Sequence, residues 1–102
     1  MMLVYKVFNK SDYDAFFTHR KTKGSANDIS DNFIHFSSRE QLSETIKKHF
    51  SCHDLLFILV FLESALSPKL KWEVSRNFDL YPHYYSYLSL SKVLYTIQIK
   101  VQ

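Results

Sequence analysis

The chain has 102 residues, 46% of them apolar and 23% charged, with a net charge of +3 and one cysteine, Cys52. That length closes one hydrophobic core, so a single domain over residues 1–102 is expected, and one Gly with two Pro leaves little material for linkers. A lone thiol excludes an internal disulfide, the longest apolar run (Leu55 to Leu62) is far short of the ~20 residues a membrane span needs, and Met1 to Lys6 lacks the pattern of a signal peptide, so a soluble cytoplasmic protein without a membrane partner is expected.

Met2 to Phe8 alternates as a first strand, Leu3, Tyr5 and Val7 against Val4, Lys6 and Phe8. Ser11 offers an N-cap for a short helix carrying Tyr13, Phe16 and Phe17 on one stripe, and Gly24 suits a left-handed stop or turn. Ser25 to Asn32 reads as a polar loop with Asp28, Asp31 and Asn32 as turn formers. Phe33 to Ser37 is a strand, and Ser38 with Gln41 forms a capping box ahead of a second helix whose apolar stripe is Leu42, Thr45, Ile46, His49 and Phe50.

Leu55 to Leu62 lacks alternation, as in a central strand covered on both faces, and Lys69 to Val74 alternates like a half-buried one. Arg76 to Leu88 reads as a long loop, and Val93 to Val101 as the closing strand. Strands flanking helices in this order predict an α+β fold with a mainly antiparallel sheet or two small sheets.

Three groups of residues could carry chemistry. Alternation puts His35 and Ser37 on one face of their strand, where a histidine can hold a ribose hydroxyl or titrate, and a serine ahead of a helix N-terminus can face phosphate. The same pair also suits a core histidine bonded to a carbonyl, with Ser37 helping the cap. Tyr81-Pro82-His83-Tyr84-Tyr85-Ser86-Tyr87 offers stacking area and a second histidine, or a loop pinned by aromatic contacts. Trp72-Glu73-Val74-Ser75-Arg76 ends on a forked donor for a pyrophosphate or carboxylate, or on a surface ion pair. Basic residues gather at His19 to Lys23, at Lys47 to His49, and at Lys69 with Lys71; they favour an anionic ligand, although the net charge is small for a nucleic-acid binder. His49 and His53 stand four apart without a third ligand at a supporting spacing, so no metal is expected.

The runs Asn32-Phe33-Ile34-His35-Phe36-Ser37, Leu70 to Arg76 and Tyr81-Pro82-His83-Tyr84-Tyr85, with Gln41, Thr45, His49 and Phe50 between, resemble the domain-of-unknown-function family 952. The resemblance implies a fold of the ADP-ribosyltransferase type: split, mainly antiparallel sheets with two short helices and a cleft that holds NAD in active relatives. The histidine strand also looks like that of the RNA 2'-phosphotransferases, so RNA joins nucleotides and phosphorylated small molecules as an implied partner, with NAD as the implied substrate. Carried over by position, His35 would contact a ribose with Ser37 assisting, Arg76 would face phosphate, and His83 with Tyr85 would line the nicotinamide end. Glu73 is the candidate for the catalytic glutamate, and Trp72 is a candidate ligand contact. Asn32 replaces the family's usual Gly, which still permits positive φ, and Ser86 and Tyr87 replace its usual Gly and Pro. The rival expectation is a non-catalytic nucleotide-binding module, or a protein-interaction module using Tyr81 to Tyr87.

Overall fold

In the computed structural model, residues 2–100 are described, the side chain of Arg76 excepted. The first strand, β1 (Leu3–Asn9), and the unalternating apolar run, β4 (Leu55–Leu62), pair antiparallel, and β8 (Tyr95–Lys100) pairs with the other edge of β4. Central placement explains the composition of β4. Phe57, Leu59 and Phe61 join a core with Val4 and Phe8 on one face, while Leu56, Ile58 and Val60 meet Tyr5 and Val7 on the other.

Each face is covered by a helix that its own sequence defines. Helix α1 (Lys10–His19) inserts Phe16 into the first core and stacks Tyr13 on Phe57 with ring centroids 4.1 Å apart. Asn9, rather than Ser11, caps it by accepting from the Asp12 N–H at 2.8 Å, and Arg20 takes the left-handed stop at φ 66°. Phe17 is solvent-exposed instead of joining the stripe. The second face carries Leu42, Ile46 and Phe50, from α3 (Leu42–His49) and its C-cap. The expected capping box is present, Gln41 N–H to Ser38 Oγ at 3.2 Å and Ser38 N–H to Gln41 Oε1 at 3.0 Å, but it closes the turn before the helix.

Three expectations are corrected. The supposed loop at residues 25–32 holds a helix, α2 (Ala26–Asp31), because Ser25 and Asp28 form a reciprocal capping box. Asn32 ends it at φ 66°, as its replacement of glycine permits. The supposed loop at 76–88 contains β6 (Leu80–Tyr84) and β7 (Leu88–Ser89). Proline argues against a central strand because it lacks a ladder donor, yet Pro82 sits in β6. Its carbonyl accepts from Phe36 N–H at 2.9 Å, so the missing donor falls on the same side, where the neighbouring strand has already ended. A four-residue helix, α4 (Glu63–Leu66), was also not foreseen, which makes four helices among the described residues rather than two.

The histidine strand is short: β3 (Ile34–His35) pairs with β6, which pairs with β5 (Leu70–Val74), giving a sheet of order β3-β6-β5. A third, two-stranded sheet joins β2 (Lys21–Thr22) to β7. Past β3 the chain crosses to the first sheet, where Ser37 and Tyr5 exchange two backbone hydrogen bonds of 2.9 Å. The architecture is α+β with antiparallel sheets, and the cleft lies at this junction.

Candidate functional site

Lys6 is the one charge on a strand of apolar residues, and it is 5% exposed. A buried ammonium requires a partner. That partner is Asp28, 1% exposed, whose Oδ2 lies 2.7 Å from Lys6 Nζ and also accepts the Ser25 N–H at 2.8 Å. Its other oxygen, Oδ1, accepts the His35 backbone N–H at 3.0 Å and stands 2.5 Å from His35 Nδ1. Four donors therefore converge on one carboxylate, and Lys6 Nζ donates a further bond of 2.9 Å to the His35 carbonyl.

Burial alone would raise the Asp28 carboxyl, but the His35 hydrogen bonds and the Lys6 ammonium outweigh it and hold the group well below the ordinary carboxylate range. Lys6 moves the other way from what pairing predicts. Burial pulls its ammonium down and Asp28 opposes only in part, because Lys6 has a single carboxylate in hydrogen-bond contact while Asp28 has four donors. Burial also raises Asp12, a third charged group of the cleft, against the opposing charge of Lys6.

His35 is held at both ends of its ring, since Nε2 lies 2.9 Å from Asp31 Oδ2 while Nδ1 faces Asp28. Neither nitrogen is left over, so the ring is a fixed polar wall. His83 differs. It pairs with His35 across β3 and β6, the two rings meeting edge-on at 5.7 Å, and Phe33 stacks on it at 4.0 Å. Its Nδ1 lies 2.8 Å from Glu73 Oε1, the same oxygen that accepts the Tyr85 hydroxyl at 2.5 Å. With Nδ1–H donated to the carboxylate, Nε2 is an acceptor, and it meets no hydrogen-bond partner among the described residues. Burial lowers the His83 imidazole, Glu73 opposing, while the bonds from Tyr85 and His83 lower Glu73 and that to Glu73 pushes Tyr85 up to about 12. A neutral histidine oriented by a carboxylate is the arrangement a general base requires.

These groups border an open cavity of about 540 Å³ whose wall includes Lys6, Asp12, Asp28, His35, Ser37 and His83. That volume falls within the range of small-molecule sites. Ser37 is buried, and its hydroxyl is 2.8 Å from Thr45 Oγ1, tying the junction to α3 rather than standing free for a phosphate. His49 and His53 also border the cavity, and no group of three metal-ligating side chains occurs among the described residues.

Of the residues singled out from sequence, His35, Ser37 and His83 are brought together, with Glu73 behind His83. Trp72 is not: its Nε1–H donates to Glu63 Oε2 at 2.5 Å and its ring rests on the first core. Tyr85 borders a separate cavity, and the Arg76 side chain lies outside the described residues. Sequence reasoning missed Lys6 and Asp28. The signals available were a lone charge inside an apolar strand and the Ser25-x-x-Asp28 spacing.

The pattern of the family described as "Protein of unknown function (DUF952)" matches residues 7–96. The chain belongs to this family. Asp28, His35, Glu73 and His83 all lie within the DUF952 span, and Lys6 stands one residue ahead of it. The crystal structure of protein CC0527 from Caulobacter crescentus is similar to this DUF952 chain at a TM-score of 0.90 and 36% identity, over 94% of this chain and 84% of that one. The solution NMR structure of the same protein gives 0.87 and 35%, over 100% and 88%. No curated protein matches. Among the described residues of this DUF952 chain no helix is long and apolar enough to cross a membrane.

Proposed function

We propose that the cleft binds a nucleotide or a related phosphorylated, ribose-bearing ligand, NAD among them. The observation that carries this reading is the convergence of the Lys6 ammonium, the fixed His35 ring and the acceptor Nε2 of His83 on one cavity of about 540 Å³. The Lys6 proton not given to Asp28 or the His35 carbonyl suits phosphate, the fixed His35 ring is a wall against which a ribose can rest, and the His83 Nε2 acceptor suits a ribose hydroxyl. The resemblance to ADP-ribosyltransferases points the same way and makes NAD the first ligand to try. In a transfer reaction the cleft would act by positioning the ribose and stabilising positive charge at its anomeric carbon.

One observation favours binding without transfer. Glu73, the candidate glutamate, spends its Oε1 on His83 and Tyr85 and does not border the cavity.

A thermal-shift series with NAD, ADP-ribose and mononucleotides tests the reading, since a ligand at about 100 times its Kd adds about 2.7 kcal/mol. A rise in Tm with at least one of them, abolished in His35→Ala, is expected. No rise with any, or a rise unchanged in His35→Ala, refutes it. Release of free nicotinamide from NAD then separates a transferase from a binding module.

A further inference from the structure

We propose a second site, separate from the His35 cleft, that binds single-stranded nucleic acid, stacking bases on Tyr85 and Tyr87 and holding phosphates with Lys21, Lys23 and Lys71. It occupies a second cavity, about 340 Å³, bordered by Lys23, Asn32, Phe33, Tyr85, Ser86 and Tyr87. This assignment does not rest on the nucleotide reading of the cleft.

The four tyrosines of residues 81–87 divide sharply. Tyr81 and Tyr84 are buried in β6, whereas Tyr85 and Tyr87 lie beyond it and are 39% and 53% exposed. Two large rings held at a concave surface offer faces on which unstacked bases can rest, and every base has such a face. A duplex keeps its bases stacked inside, so the geometry selects a single strand.

The cations are arranged around those same rings. The pairing of β2 with β7 and the two-residue period of extended chain bring Lys21 and Lys23 to one side, and each Nζ lies 5.0 Å from the centroid of the Tyr87 ring. The two ammonium groups are thus no farther apart than twice 5.0 Å, close to the ~8 Å screening length at physiological salt, so they repel each other. Neither forms an ion pair with an acidic side chain among the described residues. Lys71 Nζ sits 5.6 Å from the Tyr85 ring centroid and extends the positive rim. A phosphodiester would draw these ammonium groups off the rings they now cover, relieving the repulsion and leaving the ring faces to its bases. Asp28, the carboxylate on this cavity's wall, is paired with Lys6 and bonded to His35, whereas Glu73 keeps its charge near Lys71, so Lys21 and Lys23 carry most of the attraction for phosphate. The modest net charge of the chain conceals this site because Lys71 is far in sequence from Lys21 and Lys23 and joins the two neighbouring rings only in the fold.

Fluorescence anisotropy of the full chain with labelled oligothymidine about 10 nucleotides long, titrated from about 50 to about 200 mM salt, tests the proposal. Binding that weakens with salt is expected. The double variant Lys21→Ala/Lys23→Ala should reduce the logarithmic salt slope by about 1.4, two phosphate contacts at about 0.7 each. Tyr87→Ala should weaken binding at least about five-fold, the lower bound for one stacked base, and Tyr87→Phe should restore it. The charge-matched control Lys47→Ala/Lys48→Ala, on the exposed end of α3, should bind like the parent. Unchanged Tm across these surface variants shows that each is folded. The proposal is overturned by no binding at the lowest salt, by full affinity in Tyr87→Ala, by an equal loss in the control, or by thymidine monophosphate competing as well as the strand.

Discussion

Gly24 lies so close to Asp28 that a Cβ at position 24 would stand 2.1 Å from Oδ2 and 2.6 Å from Cβ of that aspartate. The only glycine in the chain does not stop α1, whose end Arg20 supplies; at φ 96° it lets the backbone pass beside the buried carboxylate. Gly24→Ala must displace Asp28, with its cap on α2 and its grip on His35. A loss of about 1–3 kcal/mol is expected, the range for forcing atoms into a filled interior. Urea unfolding measures it; unaltered stability would show that Asp28 has room to move.

Removing one member of the buried pair leaves the other without a counter-charge. Asp28→Asn should therefore cost about 3–5 kcal/mol. The double variant Lys6→Met/Asp28→Asn should recover part of that loss, because no lone charge remains. Equal losses in the single and double variants would show that the carboxylate acts through its backbone bonds alone.

On the acidic side the pH dependence of stability follows chiefly from two buried lowered groups, the more exposed Glu73 contributing less. Asp28 is lowered on folding, so the unfolded chain binds the proton first; the contribution is complete above about pH 4 and is lost as pH falls toward the folded value. His83 is also lowered, so its contribution is complete above about pH 6.5 and declines as pH falls below that. Stability should thus fall in two stages on acidification. Asp28→Asn should flatten the more acidic stage and His83→Gln the one nearer neutrality, as read from Tm against pH.

Ser37 and His35 should separate structure from recognition. Ser37→Ala removes the bond to Thr45 at a cost of about 0.5–1.5 kcal/mol, with ligand affinity in the cleft retained. His35→Ala should abolish that affinity. Loss of ligand in Ser37→Ala, with Tm unchanged, would instead give the serine hydroxyl a direct contact.

Much of the frame was legible because each element stated its own periodicity. The unalternating run of β4 declared its central place, and the Ser38–Gln41 box sat where α3 begins. The site was only half legible. His35 announced itself as a polar residue of a strand and His83 as a histidine among tyrosines of an expected loop, and their pairing depends on β6, which Pro82 disguised as that loop. Asp28 was hidden for a different reason: a single carboxylate caps its own helix and also binds two distant residues, and only the first role leaves a local signature. Lys71 shows the same limit from the other side, since its place beside Tyr85, near the Lys21–Lys23 pair at Tyr87, is a product of the fold.

The two backbone bonds between Tyr5 and Ser37 are the place where the edges of the two larger sheets meet in register. Side chains reinforce this seam, since Ile34 and Phe36 share a core with Val4 and Phe8. The exchange rates of those two amide protons therefore gauge how often the edges of the two sheets part without global unfolding. A ligand seated between them should slow both amides together, while the amides inside β4 keep their own pace.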